Sequence, residues 1–231
     1  MISDCEFAVV IAAGGSGTRF GGDIPKQYVE LCGYPVIAHT IKSFENCDLI
    51  SEIIIVTHRD YVVYCQDLAR ELNFKKITTV IEGGKTRQES VFKGIKQLSD
   101  DITHVLIHDA ARPNISGDTI NRICETLVEH SACAVGVKVA DTVKVSEDGE
   151  FISETLDRSK LWQIQTPQAF KKELILKCHK NAAFEGFEAT DDCMIAEKYG
   201  VKIKLVEGNR ANLKITDFND LAVMEGLMKC E

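Results

Sequence analysis

The sequence predicts an α/β protein: a Rossmann-like open, mostly parallel sheet with helices on both faces and a β-arm projecting from it. Three observations carry this reading. β-branched apolar runs recur along the chain, stretches with apolar residues at helical spacing lie between them, and one later segment breaks the rhythm around an Asp-Gly dipeptide.

Phe7 to Ala12, Ile53 to Thr57, Ile77 to Ile81, His104 to Ile107 and Ala132 to Val139 read as strands, and their near-continuous hydrophobicity suits a parallel sheet buried on both faces. Pro35 to Phe44, Tyr61 to Leu72, Arg87 to Leu98 and Ser116 to Glu129 read as the helices between them. Strand and helix therefore alternate, as in a layered α/β domain. Thr142 to Leu156 then alternates small, apolar and polar residues around Asp148-Gly149, which suits a tight hairpin turn. This is the arm. An arm with two exposed edges is a pairing liability, and a second copy of the chain is its simplest cover, so a homodimer is expected. Helices near Lys172 to Ala183 and Asp191 to Tyr199, a strand at Val201 to Val206 and an amphipathic segment from Asp217 to Met228 complete the chain. No repeat, low-complexity stretch or Pro/Gly-rich linker interrupts it.

With 231 residues, 45% of them hydrophobic, the chain can bury one substantial core. A single domain over residues 1-231 is expected, with the arm at about 141-158. The formal charge of -8 disfavours broad attraction to nucleic acid or an anionic membrane, so any polyanion must be met by a local basic cluster. Nine cysteines with no CxxC pair, and an opening segment, Met1 to Glu6, too short and polar for a signal peptide, fit a reduced, cytoplasmic protein. No apolar run approaches the roughly 20 residues that span a bilayer.

That basic cluster lies after the first strand. Gly14, Gly15, Gly17, Gly21 and Gly22 share one loop with Arg19 and Lys26. Glycines permit positive φ and let backbone N-H groups close around phosphate oxygens, while the two cations add fixed charge. Two familiar phosphate-binding patterns fail: Gly15-Ser16-Gly17 is followed three residues on by Phe20, and position 79, where a Walker A loop ending at Gly84-Lys85-Thr86 would open with glycine, is Thr79. Two further clusters follow other strands, Glu82-Gly83-Gly84-Lys85-Thr86-Arg87 and His108-Asp109-Ala110-Ala111-Arg112-Pro113. Open α/β sheets place ligands at such strand ends. Asp109 suits a divalent metal or a ribose hydroxyl, and Arg87 or Arg112 a phosphate. A buried Asp-Arg pair and a solvated turn are the bland alternatives. His108 is expected to pack or hydrogen-bond beneath its loop, Cys133 and Cys193 to be small apolar fillers, and Trp162 to lie in the core near the substrate loop.

Ala12-Ala13-Gly14, Gly17-x-Arg19, Pro25-Lys26-Gln27, Gly83-Gly84-x-x-Arg87-x-x-Ser90-Val91, the His108 to Pro113 run, Gln165-Thr166-Pro167-Gln168, Thr190-Asp191-Asp192 and Asn212-Leu213-Lys214-Ile215 occur in one order along nearly the whole chain. Together they resemble the 2-C-methyl-D-erythritol 4-phosphate cytidylyltransferases of the non-mevalonate isoprenoid pathway. The resemblance implies CTP as co-substrate and Mg2+ or another divalent cation as cofactor. It implies that Ala12, Ala13, Gly14, Gly84 and Ser90 read cytosine and ribose, with Gly15, Gly17 and Arg87 in the same nucleotide site and Asp109 and Ala110 near the sugar and the metal. Arg19 and Lys26 would grip the triphosphate and stabilise the crowded α-phosphate. Arg158 and Lys214 would hold the acceptor's phosphate, within an acceptor site that also takes in Arg112, Asp141, Thr142 and Thr190. Asp141, Thr142 and Arg158 lie on or beside the arm and would complete the partner subunit's site. Lys85 stands where relatives often carry an acidic residue and is given no role.

The chemistry agrees with these residue types, since two anionic phosphates must be neutralised before one approaches the other's phosphorus, and cations do this without a nucleophilic side chain. A sister family, the ribitol 5-phosphate cytidylyltransferases of cell-wall polymer synthesis, is the alternative, because the long loop from Ala13 to Arg19 resembles that branch. A CTP-binding module without turnover is the third reading, and the presence of Arg19, Lys26, Asp109, Arg158 and Lys214 weighs against it.

Overall fold

The computed structural model describes residues 5-15 and 24-228. Strand β1 (Phe7–Ala13) is apolar throughout and sits inside the sheet. It pairs in parallel with β4 (Ile50–Thr57) on one side and β6 (His104–Asp109) on the other, and β5 (Ile77–Glu82) extends the sheet beyond β4. On the far flank, β10 (Trp162–Lys171) runs antiparallel between β6 and β7 (Ala132–Lys138), and β11 (Lys204–Glu207) lies parallel to β7 at the edge. Among the described residues the order is β11-β7-β10-β6-β1-β4-β5.

The two-residue period of β1 divides its side chains between two cores. Phe7, Val9 and Ile11 face α1 (Val36–Glu45), α2 (Val62–Glu71) and α4 (Gly117–Glu129), which contribute Ile37, Ile41 and Phe44, Cys65 and Leu68, and Ile120, Ile123 and Leu127. Ala8 and Val10 face α3 (Arg87–Ile95), α5 (Lys172–Glu185) and α6 (Asp192–Lys198). Helices thus cover both faces, as the alternating pattern predicts. Thr86, Ser116 and Asp191 cap α3, α4 and α6 by accepting a hydrogen bond from the backbone N-H three residues on, and Gly186 ends α5 in the left-handed region (φ 66°). A third, smaller core joins the hairpin of β2 (Glu30–Leu31) and β3 (Tyr34–Pro35) to α7 (Phe218–Met228) through Leu31, Val36, Ile215 and Met224.

The structure departs from the expected pattern in three places. β10 is not read as a strand from its sequence, because Gln163, Gln165, Thr166 and Gln168 break the apolar run and Pro167 lacks a ladder donor. The structure accommodates the proline where the register with β7 shifts, between Ile164 and Gln168. The arm carries only β8 (Lys144–Val145) and β9 (Glu154–Thr155), joined by residues 146-153 in place of a tight hairpin. Asp148 still organises the turn, accepting hydrogen bonds from Glu150 N and Phe151 N (both 2.9 Å). Trp162 is half-buried at the start of β10, not in the core, with Lys138 Nζ 5.8 Å from its ring centre.

Candidate active site

The carboxyl ends of β1, β5 and β6 and the first turn of α3 open onto a cavity of about 580 Å³. Its floor is the small-residue run Ala12 to Gly15. Gln27, almost fully buried, holds the run in place by donating Nε2 hydrogen bonds to Ala13 O (2.6 Å) and Gly15 O (3.1 Å), which also sets its neighbour Lys26 on the cavity wall. Beyond β5, Ser90 Oγ accepts from Gly84 N (2.9 Å) and donates to Thr86 O (2.8 Å), folding that loop back on α3. A side chain at Gly84 would collide with Glu89 Cβ, so glycine is required there.

Asp109, at the end of β6, is the electrostatic centre. Lys214 Nζ lies 2.7 Å from its carboxylate, Arg87 Nε 3.2 Å and Arg112 Nε 3.8 Å. Arg87 reaches back in turn to the fully buried Asp192 (2.6 Å), whose other oxygen meets His179 Nε2 at 3.2 Å. Burial pushes the Asp109 carboxyl up, but the charges of Arg87, Lys214 and Arg112 overwhelm that and hold it well below the usual carboxylate range. It is a fixed anion. The same pairings with Asp192 and Asp109 outweigh the burial of Arg87 and fasten its proton. His108 is wholly buried, and burial pushes it down to about 4. Its ring nitrogens meet Arg112 O and Thr166 Oγ1 (both 3.1 Å), so it packs and hydrogen-bonds beneath the loop as expected. Cys133 and Cys193 are buried fillers.

Lys26, Lys85, Arg87 and Lys214 therefore surround a cavity whose lining includes one carboxylate among the described residues, Asp109. In a chain of charge -8 this is the local basic cluster that a polyanion needs. Among the described residues no group of three or more His, Cys, Asp or Glu could hold a metal ion by itself. One carboxylate beside this cationic cavity nonetheless fits Mg2+, which is commonly held by one or two carboxylates together with substrate phosphates.

Of the residues singled out in the sequence, Ala12, Ala13, Gly14, Gly15, Lys26, Gly84, Arg87, Ser90, Asp109, Ala110 and Lys214 converge on this cavity. Gly17 and Arg19 lie outside the described residues. Arg112 sits behind the wall, where its Nη1 donates to Asn212 O (2.9 Å) and its Nε approaches Asp109. Thr190 is exposed near Met194 at the start of α6. Asp141, Thr142 and Arg158 belong to the exposed arm and do not line the cavity of their own chain; Arg158 Nη1 donates to Ala140 O (2.7 Å). Three further residues, His58, Thr216 and His179, emerge only from the structure. His58, immediately after β4, and Thr216, two positions after Lys214, line the cavity, and His179 with Asp192 backs Arg87 from behind. The strand-end rule signals His58; nothing local in the sequence signals His179.

Comparisons with known proteins agree over almost the full chain. The family model described as 2-C-methyl-D-erythritol 4-phosphate cytidylyltransferase matches residues 7–230. A protein of that name from Caldanaerobacter subterraneus subsp. tengcongensis is 43% identical over 219 residues, covering 94% of this chain and 96% of the relative. Another from Clostridium novyi is 42% identical over 223 residues, covering 96% of both. The crystal structure of 4-diphosphocytidyl-2C-methyl-D-erythritol synthase from Anaerococcus prevotii superposes with a TM-score of 0.88 at 29% identity, covering 99% of this chain and 98% of that one. The 2-C-methyl-D-erythritol 4-phosphate cytidylyltransferase of Thermus thermophilus superposes with a TM-score of 0.81 at 28% identity, covering 97% and 99%.

Proposed function

The chain belongs to the 2-C-methyl-D-erythritol 4-phosphate cytidylyltransferase family, and from that premise we propose that its cavity transfers CMP from CTP to 2-C-methyl-D-erythritol 4-phosphate. An oxygen of the acceptor's phosphate forms a bond to the α-phosphorus of CTP, the bond from that phosphorus to the β-phosphate bridge breaks, and pyrophosphate leaves with the electron pair. The observation that carries this reading is the Asp109 cluster, one fixed anion held by Lys214, Arg87 and Arg112 beside the Ala12 to Gly15 floor.

The small-residue floor and the Gly84-Ser90 loop leave room for a base and ribose. Lys26 draws the triphosphate down and stabilises charge gathering on the α-phosphate, Arg87 joins it in the nucleotide site, and Lys214 holds the approaching acceptor phosphate on the opposite side. Asp109 would hold Mg2+ together with the phosphates, and the ion would add charge neutralisation there. Preorganised cations are the whole of the catalysis; no side chain becomes covalently bound. Arg19 and Gly17 extend the triphosphate grip in this reading. Asp141, Thr142 and Arg158 reach the acceptor from a partner's arm, which makes the unit a homodimer of single-domain chains, and their place outside the lining of their own cavity supports that assignment. Among the described residues no helix is long and apolar enough to cross a membrane. The reading places the enzyme in the cytoplasm, where unpaired cysteines such as the exposed Cys32 stay reduced.

The test is pyrophosphate release. With CTP and Mg2+, 2-C-methyl-D-erythritol 4-phosphate should be turned over and ribitol 5-phosphate should not; the reverse preference, or inactivity with both, refutes the assignment. Lys26→Ala should lose about a hundredfold or more in kcat, roughly 3 kcal/mol of transition-state stabilisation. Near-normal turnover in that variant would remove Lys26 from the mechanism.

A further inference from the structure

Helix α7 contributes no residue to the cavity wall, yet it holds together the two segments that bring lysines to it. The Lys26 segment continues into Val29 and Leu31, the Lys214 segment carries Leu213 and Ile215, and all four pack with Leu221 and Met224 of α7. This small core is separate from the two that sandwich the sheet. The spacing between the lysines is therefore set in part outside the sheet.

One side chain fastens this joint. Asp220 Oδ2, in the first turn of α7, accepts hydrogen bonds from Thr216 Oγ1 (2.5 Å), Thr216 N (2.7 Å) and Asp217 N (3.2 Å). Asp217 Oδ1 reciprocates, accepting from Asn219 N (2.8 Å) and Asp220 N (3.0 Å). The other end of the strap is fixed by Ile215 N donating to Ala111 O at 2.9 Å, so Thr216, which lines the cavity, is held from both sides. Burial pushes the Asp220 carboxyl up, but the hydrogen bonds of Thr216 and Asp217, and after them the charge of Lys26, bring it below the usual carboxylate range.

We infer that Asp220 is a positioning residue: it locks the Lys214-Thr216 strap, so that Lys214 stands at the cavity wall before either substrate arrives. It touches no reacting atom. The roles of the two lysines rest on the cytidylyl-transfer reading; the strap and its lock do not.

Steady-state kinetics and amide hydrogen exchange on the full-length protein test this. In Asp220→Ala, protection of the Thr216 and Asp217 amides should be lost and kcat should fall about tenfold or more, as small misplacements of reacting groups do. Asp220→Asn keeps an oxygen for Thr216 and so should retain that protection, with kcat within about threefold of wild type. Introduced into Lys214→Ala, Asp220→Ala should cost less than about twofold, because the group it positions is gone, whereas a loss of folded fraction would multiply through both backgrounds. Retained amide protection in Asp220→Ala overturns the inference, as does full multiplication of the Asp220→Ala and Lys214→Ala effects. Should Asp220→Ala fail to fold, Asp220→Ser, whose shorter side chain does not reach Thr216, takes its place in both measurements. A wild-type protein that releases no pyrophosphate refutes the functional reading separately, and the exchange data on Asp220→Ala then decide the lock.

Discussion

Gly94 shows how tightly the chemistry is backed by packing. It lies in α3, where a Cβ would come within 2.6 Å of Val10 Cγ1 and 2.7 Å of Val56 Cγ2. Alanine would gain about 1 kcal/mol of helix propensity, but overpacking a rigid core typically costs about 1 to 3 kcal/mol. Gly94→Ala should therefore be destabilising, with a lower urea midpoint at an unchanged slope. Asp192 is the more severe case, because it is fully buried between Arg87 and His179. Asp192→Ala should lower stability by about 1 to 3 kcal/mol, since it removes the hydrogen-bond partner of the buried His179 and one of the two carboxylates that hold Arg87, and should raise KM for CTP as Arg87 loses its backing. Cysteine reactivity divides along the same line. Cys32 is exposed, whereas burial pushes the Cys65 thiol up to about 11, so iodoacetamide at neutral pH should label Cys32 in the folded protein and leave Cys65 intact. Labelling of Cys65 in native protein would contradict its placement beneath Tyr28.

Single elements behave according to how local their causes are. The α6 cap depends on Asp191, which accepts from Met194 N (2.8 Å) and from Gln168 Nε2 (2.8 Å). Asp191→Ala should cost about 1 to 2 kcal/mol, measurable as a shifted unfolding midpoint. Such elements are legible in sequence because their signals are local: apolar β-branched runs for β1, β4, β5, β6 and β7, and Thr86, Ser116 and Asp191 ahead of helices. The glycine stem and Asp109 are legible too, as strand-end motifs, and Lys214 through the resemblance carried by Asn212-Leu213-Lys214-Ile215. β10 is not, because its place depends on neighbours far away in sequence, and polar residues such as Gln165 and Gln168 are there to bind Asn209 O and Asp191 and not to signal a strand. His179 is hidden for the same reason, being one of several helix-spaced residues until the fold sets it against Asp192.

At the scale of the whole molecule, the exposed arm carries a separable prediction. Phe151 and Ile152 stand 73% and 67% exposed beyond β8, and Arg158 sits at the arm's base. If partners exchange arms, mixing Arg158→Ala with Lys26→Ala chains creates heterodimers with one intact composite site, and activity should recover to about a quarter of wild type after random exchange. Mixtures no more active than their components would mean that each chain completes its own site. The position of β10 has a consequence of another kind, for the order in which the chain can be finished. β6 and β7 are synthesised first and cannot close on one another, because the strand that belongs between them is more than twenty residues further along. A nascent chain that has emerged only as far as the arm therefore exposes three unsatisfied strand edges, one of β6 and both of β7. On a ribosome, this protein is at its most vulnerable to aggregation just before its sheet is complete.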